Sequence, residues 1–348
     1  MVGTLDFPPG APGGVTRTLS MERTVDVPPQ LRAWIAENLL RGARSALIAE
    51  ALAEHGIPDP DAAVAAISTD PILAAARTLL HRSAGVEQAA RLRRGLDAQA
   101  PFEVSELTVE AFHGTFWCGH KPVLFRGAAS DWPALRWTLS ELRERFGHVG
   151  IEALSGRDTD PAWYSRRDQF RTPMTLGALL TAMETTTGDA VYAVGRNDLL
   201  QQPELAPLLE DLGLLHGIAA DAPAARAWIG PAGTRTPLHH DQSSAWLVQV
   251  LGRKRVWLAN PLEPTLLSTA RGVFNTCDPS RPPVGDQSEV RWLTADIHPG
   301  DAVFFPVGWW HQVVALDASI SVSLGGFRWD HVRTWYTPGR AGEPVGAG

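Results

Sequence analysis

Apolar positions fall into two regimes along the chain. Between residue 28 and about residue 96, Ala, Leu, Arg and Glu dominate. There the apolar side chains recur every three to four positions: Leu31, Trp34, Ile35, Leu39 and Leu40, then Leu47, Ile48, Ala51 and Leu52. That is the period of an amphipathic helix. Asp59-Pro60-Asp61 and Asp70-Pro71 have the order of helix starts, and Gly42 and Gly56 stand where helices end. The pattern predicts four or five short helices over residues 27–98. His55 and His81 are isolated there, and no cluster of metal-binding or nucleophilic residues accompanies them. The region therefore reads as a packing or dimerisation module, a surface through which a homodimer would form. Residues 1–26, rich in Gly, Pro, Thr and Val without a period, read as a flexible arm, and the Gly-rich residues 337–348 as a flexible tail.

After residue 101 the period shortens. Runs at 122–126, 149–153, 190–194, 227–229, 244–250, 254–258, 302–305, 310–314 and 319–323 are rich in β-formers and are separated by Gly and Pro. Many short strands between turn signals mean a sandwich or barrel. The domain at 99–336 is thus mainly β, with helices intruding around 140–146 and 175–183. Gly252 reads as the tight turn of a hairpin joining 244–250 to 254–258. No solenoid-like repeat is present.

Composition narrows the class. The chain has 348 residues, 44% apolar and 20% charged, which is globular and long enough for one large or two modest domains. No apolar run approaches the roughly 20 residues of a membrane span. The N-terminal stretch lacks the basic and apolar segments of a signal peptide. Two cysteines, Cys118 and Cys277, cannot build a disulfide framework or a four-cysteine zinc site, which suits a cytoplasmic location. A net charge of −7 gives no general attraction to nucleic acid or to an anionic membrane, and neither is expected as a partner. Of 31 basic residues 29 are arginine, so Lys121 and Lys254 stand out as lysines kept in a chain that otherwise uses Arg.

The sharpest chemistry lies in Thr236-Pro-Leu-His-His-Asp241. If this is a strand, His239 and Asp241 point one way and His240 the other. An imidazole and a carboxylate on one rigid strand are half of a metal site. The third ligand is expected at His311, in Pro299-Gly-Asp-Ala-Val-Phe-Phe-Pro-Val-Gly-Trp-Trp-His311, where Gly300-Asp301 and Pro306-Val-Gly308 are turns and His311 is on the returning strand. Two His and one carboxylate leave one face of an octahedron open, the arrangement of non-haem Fe(II) oxygenases. Structural zinc is disfavoured, because closed zinc sites take a fourth protein ligand and prefer Cys. His113, His120, His148, His216, His298 and His331 have no comparable partners in the sequence and read as surface or core residues. Trp246, Trp309 and Trp310 are candidates for the mouth of the site, with core packing as the competing account.

Four stretches carry a resemblance: 121–133, 228–241, 249–257 and the run ending at His311. Together they make residues 101–330 resemble the JmjC/cupin-8 family of Fe(II)- and 2-oxoglutarate-dependent oxygenases, above all its asparaginyl-hydroxylase-like branch. The resemblance implies a double-stranded β-helix, a cupin or jelly-roll core, preceded here by the small helical region. It implies Fe(II) at His239, Asp241 and His311, with 2-oxoglutarate and O2 as co-substrates. It implies that Lys254 binds the distal carboxylate of 2-oxoglutarate, assisted by Thr236 and Tyr192, while Arg253 and Arg255 face away. Where that branch has asparagines beside the co-substrate, this chain has Ala245 and Ser323. The implied reaction is hydroxylation of an unactivated C–H bond in a protein or peptide side chain or a small molecule, with release of succinate and CO2. Histone demethylation is not expected, since no zinc-binding reader module accompanies the core. The competing reading is a non-catalytic metal-binding cupin scaffold whose helical region recruits a partner; it leaves a co-substrate lysine without purpose.

Overall fold

The computed structural model describes residues 27–97, 102–160, 163–195, 198–213, 215 and 225–329; the arm at 1–26, the tail at 337–348, His216 and His331 lie outside them. The chain divides into two compact units, Met1–Arg91 and Leu92–Gly348. The first holds α1 (Pro29–Leu40), α2 (Ser45–Glu54), α3 (Pro60–Ser68) and most of α4 (Pro71–Asp97). Leu31, Trp34, Ile35 and Leu39 bury against Ile48, Leu52, Val64 and Ile67, the face that the 3.6 period marks. Both Asp–Pro starts form caps: the Asp59 carboxylate accepts from the Ala62 N–H at 3.3 Å, and Asp70 from the Ile72 N–H at 2.8 Å. The expectation of short helices throughout is corrected at α4, one helix of 27 residues that runs through Gly85. A single glycine costs a helix only about 1 kcal/mol, less than breaking it. Among the described residues no single helix is long and apolar enough to cross a membrane.

The second unit is built on two six-stranded sheets. The first runs β1-β2-β13-β8-β15-β6, with β1 at Glu103–Val104, β2 at Val123–Phe125, β6 at Arg226–Gly230, β8 at Ala245–Leu251, β13 at Ala302–Phe305 and β15 at Ser319–Leu324. The second runs β10-β11-β7-β14-β9-β12, with β7 at Arg235–His239, β9 at Lys254–Ala259, β10 at Ala270–Arg271, β11 at Phe274–Asn275, β12 at Leu293–Ile297 and β14 at Trp310–Ala315. Only the β1–β2 pair is parallel within them. A three-stranded sheet, β4-β3-β5, adds Arg171–Thr175, Gly150–Ser155 and Val191–Tyr192. This is the jelly-roll core.

Alternation sorts the side chains into layers. Leu124, Leu247, Val303 and Phe305 of the first sheet meet Val256, Leu258, Ile297 and Val313 of the second in the interior between them. Trp246, Val248 and Phe304 face outward into a separate cluster, where the Phe112 ring lies 5.3 Å from Trp246 and 4.9 Å from Phe304. Leu238, Ala259 and Trp310 form a smaller cluster outside the second sheet. The hairpin expected at Gly252 does not form: β8 and β9 belong to different sheets, so Gly252 turns a corner between layers. Its φ of +69° suits glycine, and a Cβ there would lie 2.2 Å from the Ala318 carbonyl oxygen.

Candidate metal centre and its cavity

His239 and His311 sit directly opposite each other on β7 and β14, with ring centroids 4.2 Å apart. Each imidazole is held by its own strand. His239 Nδ1–H donates to the Pro237 carbonyl at 2.8 Å and His311 Nδ1–H to the Trp309 carbonyl at 2.9 Å. A carbonyl can only accept, so the proton is on Nδ1 and the Nε2 lone pair is free for a metal. Burial, reinforced by neighbouring His239, pushes His311 down to about 3, so its ring stays neutral.

Asp241 is not on the strand, as alternation had placed it: β7 ends at His239. The carboxylate reaches the same point from the following turn, with Oδ1 3.9 Å from His239 Nε2 and Oδ2 3.7 Å from His311 Nε2. One ligand atom from each residue can be chosen so that all lie within 4.8 Å of one another. That spread is wider than bonds of about 2.1 Å require, and the partly exposed Asp241 side chain has room to close it. The donor set, two imidazoles and one carboxylate on one side of a cavity, fits a divalent first-row metal. The ligand turns are tied together. The Asp241 carbonyl accepts from the Gly308 N–H at 3.0 Å, and the Ser244 hydroxyl accepts from the Val307 N–H at 3.0 Å.

His120, read from the sequence as a surface or core residue, belongs to this support. Its Nε2–H donates to the Val307 carbonyl at 2.7 Å, and its own carbonyl accepts from Trp309 Nε1–H at 3.0 Å. Sequence reasoning missed His120 and Ser244 because both act through backbone contacts with segments remote in the chain. His240 faces away from the ligands, buried edge-on against Trp310 at 4.7 Å. Trp246, Trp309 and Trp310 are core residues and do not line the metal cavity.

Behind the triad lies a cavity of about 420 Å³ that also contains Lys254, Thr236, Tyr192, Ser323 and Ala245. Thr236 and His239 are three residues apart, and a regular strand would send them to opposite faces. A bulge between His311 and Val313 shifts the register, pairing His311 with His239 and Val313 with Thr236, so that both face inward. Lys254 is 2% exposed, and burial pushes it down to about 7. Among the described residues its ammonium makes no ion pair or hydrogen bond; the Tyr192 ring centroid is 5.8 Å away. Arg253 and Arg255 instead pair at the surface with Asp317 and Asp296.

The Tyr192 phenol lies beside Thr236 in the cavity, and burial pushes it up to about 12. Its ring fits against a glycine: a Cβ at Gly230 would stand 2.7 Å from Tyr192 Cδ2. The Ser323 hydroxyl accepts from Trp228 Nε1–H at 3.0 Å, so it also orients the cavity wall. Phe305 stacks on His311 at 4.5 Å and keeps that side dry.

A second cavity, about 600 Å³, meets the first at Trp228, Thr236, His239, Asp241 and Gln242. Tyr164, Phe274, Arg166 and Arg167 line it, and Tyr164 lies 4.6 Å from Phe274. The triad thus stands between a cavity that holds Lys254 and a cleft with an aromatic wall.

The cupin-like domain family model matches residues 109–331. The chain is similar to lysine-specific demethylase 8 of Xenopus tropicalis, 30% identical over 230 residues, covering 62% of this chain and 50% of the relative. It is similar to the protein of that name from Danio rerio, 30% identical over 233 residues, with 62% and 56% covered. It is also similar to Jumonji C domain-containing protein 5 of Drosophila melanogaster, 29% identical over 236 residues, with 62% and 57% covered. The chain spans about half the length of these curated relatives.

Proposed function

The chain belongs to the JmjC-type cupin-like family, and from that premise we propose that it is an Fe(II)- and 2-oxoglutarate-dependent oxygenase. It hydroxylates an unactivated C–H bond of a protein or peptide side chain or a small molecule, with release of succinate and CO2. The observation that carries the reading is a buried ammonium without a partner in the same cavity as the triad. An unpaired buried charge is costly, and a dianionic co-substrate supplies what Lys254 lacks. A metal-binding scaffold has no such need.

His239, Asp241 and His311 would hold the metal. When bound with the 2-oxo acid and O2, it supplies the oxidising power that a C–H bond demands. The residues of the chain do the rest. Lys254, with the Tyr192 and Thr236 hydroxyls beside it, takes the distal carboxylate by charge-assisted hydrogen bonds. The Nδ1–H bonds to Pro237 and Trp309 keep both imidazoles in the ligating tautomer. Phe305 excludes water from one side of His311. The cleft beside Tyr164 and Phe274 holds the substrate with its C–H bond against the open face.

The names of the Xenopus and Danio relatives favour a second reading of the substrate, an N-methyl group of lysine, whose hydroxylation product breaks down to formaldehyde. Ala245 and Ser323 replace the asparagines of the asparaginyl-hydroxylase branch, so we do not carry that branch's substrate over. A cytoplasmic location and a homodimer through the first unit are parts of the same proposal.

The test is spectroscopic, then catalytic. Adding 2-oxoglutarate without O2 to the Fe(II)-loaded protein should produce a visible metal-to-ligand charge-transfer band. Peptide pools and lysate are then screened for succinate release. A product 16 Da heavier supports stable hydroxylation, and formaldehyde supports demethylation. No band and no succinate would overturn the proposal in favour of a scaffold.

A further inference from the structure

Arg157 is a buried cation outside the triad and outside the co-substrate set, and nothing said so far explains it. It follows β3 at a turn made by Gly156, whose φ is +71°. Arg157 is 1% exposed. Its Nη2–H donates to Asp189 Oδ1 at 2.7 Å and its Nη1–H to the Arg235 carbonyl at 3.0 Å. The same Asp189 Oδ1 accepts from the Arg235 N–H at 2.7 Å. Arg157 and Asp189 therefore grip both backbone groups of the residue just before Thr236. The guanidinium carbon also lies 4.9 Å from the Tyr192 ring centroid and 4.6 Å from that of Trp163. Tyr192 and Thr236, whose hydroxyls both belong to the cavity, are thus both held by one side chain.

We propose that Arg157 is a positioning residue for co-substrate binding, a clamp that fixes the Tyr192 ring against the Thr236 segment of β7. The inference rests on the 2-oxoglutarate reading of the cavity. Burying a guanidinium is expensive, and an apolar side chain of similar volume would pack at lower cost. What an apolar residue cannot do is bridge Asp189 to a β7 carbonyl while its planar face lies on an aromatic ring. The clamp touches neither the metal ligands nor Lys254. Its loss should loosen the hydroxyl pair and leave metal binding alone.

The experiment measures 2-oxoglutarate affinity by calorimetry on the Mn(II)-loaded full chain without O2, and Mn(II) affinity separately. The variants are Arg157→Met, Arg157→Lys, Tyr192→Phe and the double variant Arg157→Met/Tyr192→Phe. Arg157→Met should weaken 2-oxoglutarate binding by at least about tenfold, with Mn(II) affinity within about twofold of wild type. In the Tyr192→Phe background the same change should cost less than in wild type, because one of the two hydroxyls that the clamp positions is already gone. Arg157→Lys keeps the charge and loses the fork, and should fall between wild type and Arg157→Met. Should Arg157→Met fail to fold, Arg157→Lys decides: a folded variant with wild-type affinity overturns the clamp. Losses that multiply in the double variant, or a fall in Mn(II) affinity matching the fall for 2-oxoglutarate, overturn it as well. A wild-type protein that does not bind 2-oxoglutarate refutes the proposed function and the clamp together. Binding by wild type with no shift in Arg157→Met refutes the clamp alone.

Discussion

Replacing Lys254 with methionine should do two opposite things at once. The ammonium is fully buried, and that burial lowers its pKa from 10.5 to about 7. That difference corresponds to a cost of roughly 5 kcal/mol for holding the charged form in the folded protein. Between pH 7 and 10.5 the unfolded chain binds more protons at this residue than the folded one, so stability rises with pH across that window. Below pH 7 both states are protonated and the whole cost is present. At pH 6 the metal-free Lys254→Met protein should therefore be more stable than wild type, and the gap should close as pH rises towards 10. Even half the cost would raise Tm by about 5 °C or more, at about 2–4 °C per kcal/mol. The same variant should bind 2-oxoglutarate at least about a hundredfold more weakly, since losing one partner of a buried charge pair costs about 3–5 kcal/mol and each ~1.4 kcal/mol is tenfold. Wild-type affinity should fall as pH rises above about 7, by up to about tenfold per pH unit, as Lys254 must first take up a proton. The Met variant should not share that slope. Thermal unfolding from pH 6 to 10 and calorimetric titration over the same range check all of this. A Lys254→Met protein that is less stable at pH 6 and binds 2-oxoglutarate within threefold of wild type would refute the assignment.

Four further outcomes are expected. His239→Ala, Asp241→Ala and His311→Ala should each abolish metal-dependent succinate formation and metal uptake while the far-UV spectrum is kept; a His311→Ala protein with substantial turnover would move the third ligand elsewhere. His240→Ala should keep its metal but lose about 1–3 kcal/mol of stability through the void left against Trp310, read by urea unfolding; loss of metal on the scale of His239→Ala would contradict the geometry. Gly252→Ala should destabilise the fold by at least about 2 kcal/mol, from the left-handed backbone and the contact with Ala318, in the same assay. Arg253→Ala and Arg255→Ala should leave 2-oxoglutarate affinity unchanged, since both side chains pair with surface carboxylates, and calorimetry checks this.

Strands with two buried faces were legible as β-rich runs. In β8, Trp246 and Val248 join the cluster around Phe112 on one face while Leu247 faces the interior, which gives a continuous apolar stretch in sequence. Edge elements were not legible. In β12, Leu293, Ala295 and Ile297 alternate correctly with polar residues, yet the stretch has only five residues and follows a long loop. The order of strands was beyond reach as well. Gly252 marks a turn whether the chain reverses within a sheet or crosses to the other one, and only the pairing of β9 with β14 and β12 separates the two.

The site divides along the same line. His239, Asp241 and His311 stand in short motifs with unusual composition, and Lys254 stands out against an Arg-rich background. Arg157, Ser244 and His120 have no such signature: each is one polar residue whose partners come from elsewhere in the chain. The consequence is a metal centre of unequal parts. The two imidazoles are a cross-strand pair, locked by the ladder and by carbonyls two residues upstream. The carboxylate lies beyond the strand end, partly exposed, steadied mainly through the turn at Gly308. Two of the three candidate ligands are thus set by the strand ladder, and the third sits on a turn. His239 and Asp241 line both cavities, so the triad stands where the space holding Lys254 and the cleft beside Tyr164 meet.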